Sequence, residues 1–142
     1  MKKKDLKRTS LQKTFLTVCL IVAGLQISCS SSPSQENLLD GKSFSIQTME
    51  KDKPETAVAE TCSFSEGYFD NVDCHQYGFS KGKYTATKKG DGVMSFEATM
   101  DGGKEGKMVW SGEVNQGNIK GDLLWKKEGQ ADLMYTFSGA AK

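Results

Sequence analysis

The chain has 142 residues with 19 Lys and Arg against 18 Asp and Glu, which argues for one small domain and excludes a large multi-domain enzyme. At 37% hydrophobic and 26% charged, the composition is that of a folded globule, neither disordered nor collagen-like. Six of the basic residues but one acid fall within residues 1–28, so the remainder carries 13 basic and 17 acidic side chains, a net charge of −4. A mildly acidic body without a basic stripe repels a polyanion, and no nucleic-acid partner is expected.

Residues 14–25 (TFLTVCLIVAGL) form a 12-residue apolar run behind a lysine-rich start, the layout of a secretory signal peptide. The run is shorter than the roughly 20 apolar residues of a transmembrane helix, and Gln26, Ser28 and Ser30 end it. The sequence Gln26-Ile27-Ser28-Cys29, followed by a serine-rich polar stretch, resembles the lipobox of bacterial lipoproteins. That resemblance implies a leader over residues 1–28, cleavage before Cys29, and lipid on its sulfur and new amino terminus. Two or three acyl chains would hold the protein firmly, each buried methylene contributing about 0.8 kcal/mol. An ordinary cleavage near Cys29, giving a soluble exported protein, is the alternative. Residues 29–39 then read as an acylated cysteine and flexible tether, with the folded domain over residues 40–142. The expected location is the cell envelope, on the outer membrane facing the periplasm if the cell is Gram-negative, with the membrane as partner through the N-terminal lipid.

From Asp40 onward turn signals recur at short intervals: Asp40-Gly41, Glu66-Gly67, Gly90-Asp91-Gly92, Asp101-Gly102-Gly103, Gln116-Gly117 and Glu128-Gly129. The runs between them alternate with period two, which predicts antiparallel strands at about 42–49, 57–64, 67–73, 82–88, 93–100, 107–114, 118–126 and 131–139. Alternation places Phe44, Ile46, Cys62 and Phe64, then Tyr84, Phe96, Trp110, Ile119, Trp125, Tyr135 and Phe137, on one face, with mostly polar neighbours on the other. A two-residue Gln116-Gly117 turn pairs Val114 with Ile119, Gly112 with Gly121, Trp110 with Leu123 and Met108 with Trp125. All four pairs fall on the inner face, so turn and register agree. The expected fold is all-β, an antiparallel eight-stranded meander closed into a small barrel, because closure buries the apolar face and removes the open edges. A two-sheet β-sandwich is the alternative.

The segments Cys74-His75-Gln76-Tyr77-Gly78-Phe79, Phe96-Glu97-Ala98, Trp110-Ser111-Gly112-Glu113-Val114, Ile119-Lys120-Gly121 and Tyr135-Thr136-Phe137-Ser138-Gly139 resemble small bacterial lipocalin-like barrel proteins of largely unassigned function. The resemblance covers roughly residues 40–140, implies a calycin-type barrel and carries no catalytic residues.

With Cys19 in the leader and Cys29 lipidated, Cys62 and Cys74 remain and are expected to form one structural disulfide, although Cys62 lies across from Asn71 and a bend after Val72 is needed to bring Cys74 near. His75 with Cys74, Asp70 and Asp73 falls short of a zinc ligand set, and adjacent Cys74 and His75 diverge on an extended strand, so neither metal nor cofactor is expected. No nucleophile with its base and no acid pair is identifiable, and the protein is not expected to be an enzyme. Two functions remain open. The barrel binds a small, largely apolar molecule lined by Tyr84, Phe96, Trp110, Trp125 and Tyr135, or those aromatics fill it and the protein has a structural or interaction role in the envelope.

Overall fold

The computed structural model describes residues 37–142. The leader, Cys29 and most of the tether lie outside the described residues. Eight antiparallel strands, β1 (Ser43–Glu50), β2 (Val58–Ser65), β3 (Tyr68–Asn71), β4 (Gly82–Lys88), β5 (Met94–Asp101), β6 (Lys107–Asn115), β7 (Asn118–Lys126) and β8 (Leu133–Ala141), follow one another around a closed barrel. Closure comes from β1 pairing with β8, with Phe44 opposite Ala141 and Glu50 opposite Tyr135. The barrel, not the sandwich, is therefore the architecture.

The two ends of the barrel differ. At the hairpin end, Glu66-Gly67 and Gln116-Gly117 join their strands with φ of 54° and 77°, and of 48° and 78°. Positive φ at both central residues gives the turn whose twist matches a two-residue hairpin. The register expected between β6 and β7 is the one observed, from Asn115 opposite Asn118 to Lys107 opposite Lys126. The other end carries the longer connections, three of them with a short 3-10 turn, at Pro54–Thr56, Val72–Tyr77 and Gly103–Glu105.

One-residue shifts aside, three parts of the chain differ from the sequence reading. β3 stops at Asn71 instead of 73, because the Asn71 side chain accepts the Asp73 N–H at 3.1 Å and starts the 3-10 turn Val72–Tyr77. Asp73 then takes the Thr61 N–H at 2.8 Å, so a carboxylate replaces a ladder carbonyl on β2. β8 starts and ends two residues later than expected, its last residues pairing with the beginning of β1. The domain also begins before Asp40. Residues 37–42 cross the hairpin end, and Leu39, assigned above to the tether, is fully buried. Asp40 fixes this plug by accepting the Tyr84 hydroxyl at 2.9 Å and the Gly67 N–H at 3.0 Å, while the Tyr84 oxygen accepts the Leu39 N–H at 3.1 Å.

The interior is a chain of aromatic rings. Phe64 meets Phe96, Tyr84 and Phe69 at centroid distances of 5.0, 5.0 and 5.2 Å, and Trp110 sits 5.1 Å from Phe69 and 5.2 Å from Phe137. These are edge-to-face and tilted contacts, each worth about 0.5–1.5 kcal/mol beyond area burial. The rings fit because β6 and β7 carry glycine where the wall is tightest. A Cβ on Gly121 would stand 2.1 Å from the Ser111 carbonyl oxygen and 2.6 Å from the Gly112 Cα, both backbone atoms with no rotamer to escape into. Gly121→Ala is expected to destabilise the domain by about 1–3 kcal/mol as overpacking. Gly90→Ala, at a turn with nothing within 4 Å of the new methyl, is expected to stay within about 0.5 kcal/mol. Urea unfolding of the two variants checks the contrast, and equal midpoints would refute the close approach.

Candidate functional site

The five aromatics expected to line an apolar pocket separate into two groups. Tyr84, Phe96 and Trp110 lie within the packed core, and Trp110 is fully buried with rings on either side. Trp125 and Tyr135 are half-buried toward the loop end. The Trp125 Nε1–H donates to the Glu105 carbonyl at 2.7 Å, and its ring meets Phe79 edge-on at 6.3 Å. Tyr135 sits opposite Glu50 on β1 and Leu123 on β7. Burial, then the Glu50 carboxylate, pushes its phenol pKa up. Among the described residues, hollows of about 730, 620, 400 and 360 Å3 open on the surface, and Tyr84, Trp110, Trp125 and Tyr135 do not line these. The Trp110 Nε1–H is buried without a hydrogen-bond partner.

Near the loop end a small polar network crosses three strands. The Glu60 Oε2 accepts the Thr48 hydroxyl at 2.8 Å and the Asn71 amide at 2.9 Å, and both Thr48 and Asn71 are buried. Cys62 and Cys74 lie in the same region, both buried and both free thiols. The disulfide expected from the sequence is not formed in this structure: β3 pairs Asn71 with Cys62, and Cys74 is carried into the 3-10 turn instead of continuing along the ladder. Burial, reinforced by the Glu60 carboxylate, pushes each thiol up to about 12, so neither is a nucleophile near neutral pH. His75 points away from the buried Cys74 toward solvent, where its Nε2 pairs with Asp70 at 2.7 Å. Among the described residues no three His, Cys, Asp or Glu side chains are grouped to hold a metal ion.

The hollow of about 730 Å3 lies on the outer wall over β4 to β8. Register aligns Thr85, Glu97, Ser111, Asp122 and Thr136 in one outward row across the five strands. A second row holds Thr87, Ser95, Glu113 and Lys120, with Lys89 paired to Glu113 at 3.3 Å. The floor includes residues of the inner face, namely Phe96, Gly112, Gly121 and Phe137. Gly112 and Gly121 face each other across the ladder, and with no side chains there the backbone of β6 and β7 settles onto the two phenylalanine rings. The hollow lies on the outer side of that glycine pair. Sequence reasoning placed these glycines opposite each other and took them as room for the core. The dent they leave on the outside was the missed consequence, and two paired glycines on the inner face were its signal.

Comparison with protein families, curated proteins and solved structures finds no match to this chain in any of the three. What the structure establishes is an eight-stranded antiparallel closed β-barrel, consistent with a lipocalin-like fold.

Proposed function

We propose that this is an exported, lipid-anchored bacterial envelope protein whose barrel is filled, so that it acts through its outer surface in a structural or interaction role and not by enclosing an apolar ligand. The observation that carries the surface role is Trp110, fully buried with Phe69 and Phe137 packed on it at ring distances of 5.1 and 5.2 Å. Eight strands enclose a space that side chains can just fill or that can hold one small ligand, and here aromatic side chains take that space. The anchoring rests on the sequence: a basic start, a short apolar run, and Cys29 after a small residue. The described residues open with a plug pinned by Asp40, eleven residues beyond Cys29, so a lipid there would tether the barrel near the membrane surface.

Two measurements test the two halves separately. Cells fed a clickable fatty acid are expected to label the protein in the membrane fraction, and Cys29→Ser is expected to abolish both label and membrane retention; label surviving the substitution would overturn the anchor. Titration of the purified protein with a fluorescent fatty acid is expected to leave tryptophan emission without saturable quenching. Saturable quenching would return the reading to an apolar-ligand carrier.

A further inference from the structure

We infer that residues 72–81 form a strap across the seam between β3 and β4, and that a disulfide between Cys62 and Cys74 latches this strap to β2 under oxidising conditions. The seam is the shortest ladder of the barrel. β3 meets β4 through Tyr68 opposite Lys83 and Phe69 opposite Gly82, whereas β6 and β7 pair from Asn115 opposite Asn118 to Lys107 opposite Lys126. Past Asn71 the chain crosses the opening as the 3-10 turn Val72–Tyr77, and it reaches β4 only at Gly82. The strap is tied down without covalent bonds. Asp73 accepts the Thr61 N–H at 2.8 Å, the Ser80 N–H donates to the Asp101 carbonyl at 3.1 Å, and the buried Phe79 ring lies against Gly102 and meets Trp125 edge-on.

The same ties bring the two thiols to one place. Thr61 and Asp73, which are hydrogen-bonded to each other, immediately precede Cys62 and Cys74. Asn71 stands opposite Cys62 and caps the turn whose buried residue is Cys74. Closing the bond therefore rearranges one turn and leaves the ladders of the barrel in place. In the closing step a thiolate of one cysteine attacks a disulfide of the glutathione class and releases one glutathione thiol. The second cysteine then displaces the other, so the pair gives up two protons and two electrons and the reagent takes them as two thiols. Burial keeps both thiols neutral in the folded protein, so the exchange belongs to the folding chain, before the strap has covered them. Val72 and Tyr77 on the strap are more than half exposed, and the latch fixes where the loop end presents these apolar side chains. Use of the latch in the cell rests on the export proposed above; its chemistry does not.

The test uses the full chain carrying Cys19→Ala/Cys29→Ala, so that Cys62 and Cys74 alone can react and the result is independent of lipidation. The protein is unfolded in guanidinium with reductant, then refolded into detergent micelles in a buffer of reduced and oxidised glutathione. Peptide mapping without reductant is expected to find Cys62 joined to Cys74. Amide hydrogen exchange over residues 72–81 is expected to be at least about tenfold slower in the oxidised protein than in the reduced one, with exchange in β6 and β7 unchanged. Two free thiols, separate glutathione adducts or a disulfide between chains would overturn the bond. A bonded protein whose strap exchanges as fast as the reduced form, or whose β6 and β7 amides exchange faster, would overturn the latch.

Discussion

Trp110→Ala is expected to destabilise the domain by about 3–5 kcal/mol, close to the whole stability of many domains of this size. The side chain is fully buried and touches Phe69 and Phe137, and no neighbouring chain is free to collapse into the space because those rings are held by Phe96 and Phe64 in turn. Trp110→Phe is expected to cost far less, about 1 kcal/mol. It loses part of the ring volume but also removes an indole N–H that is buried without a partner, and an unpaired buried donor itself costs about 1–3 kcal/mol. Denaturant unfolding of the two variants measures the difference. A Trp110→Ala variant within about 1 kcal/mol of the parent would mean that the interior is loosely filled, and the surface role proposed above would lose its support.

The barrel was legible in the sequence because strands with one wet face must alternate, and because a two-residue turn ties register to alternation. Gln116-Gly117 therefore predicts every β6–β7 pair from Val114 with Ile119 to Met108 with Trp125, and these are the pairs formed. Features that depend on a single side chain capturing a backbone group were not legible. Asn71 ends β3 by accepting one N–H, and nothing in the alternation of residues 67–73 marks that event. Leu39 follows a serine-rich stretch and reads as tether, yet Asp40 and Tyr84, 44 residues apart in sequence, pin it into the barrel mouth. Phe69 and Phe79 are buried although alternation marks neither, Phe69 because β3 is too short to show a period and Phe79 because it lies outside the strands, in a loop that reads as exposed surface. For the site, the outward row of Thr85, Glu97, Ser111, Asp122 and Thr136 was present as polar residues at alternate positions. Alternation says that such residues are wet, and it does not say that a hollow lies among them, over a glycine pair on the inner face.

Between pH 9 and 10 the reduced protein is expected to lose stability, and the cause is the buried pair of thiols. Cys62 and Cys74 each move from an ordinary 9.0 to about 12 in the folded state, chiefly by burial. Between those values the folded chain keeps protons that the unfolded chain releases, so stability is fully present below pH 9 and falls as pH rises toward 12. One pH unit above 9 is worth on the order of 1.4 kcal/mol per thiol, or about 3 kcal/mol for the two together. Tyr84, whose phenol is pushed from 10.0 to about 12 by burial and by Asp40, contributes in the same direction but only above pH 10. The window from 9 to 10 therefore isolates the cysteines. Urea unfolding with reductant present is expected to show the slope there, and the double variant Cys62→Ala/Cys74→Ala is expected to flatten it whatever its stability at neutral pH. Iodoacetamide at neutral pH is expected to leave both thiols of the folded reduced protein unmodified and to alkylate both in guanidinium. Rapid alkylation of either thiol in the folded state, or a flat pH dependence in the parent, would show that the pair is not held as neutral thiols inside the barrel. Protein isolated from its host without free thiols would instead mean that oxidation draws Cys74 out of its 3-10 turn toward Cys62, and the slope between pH 9 and 10 would then appear only after reduction.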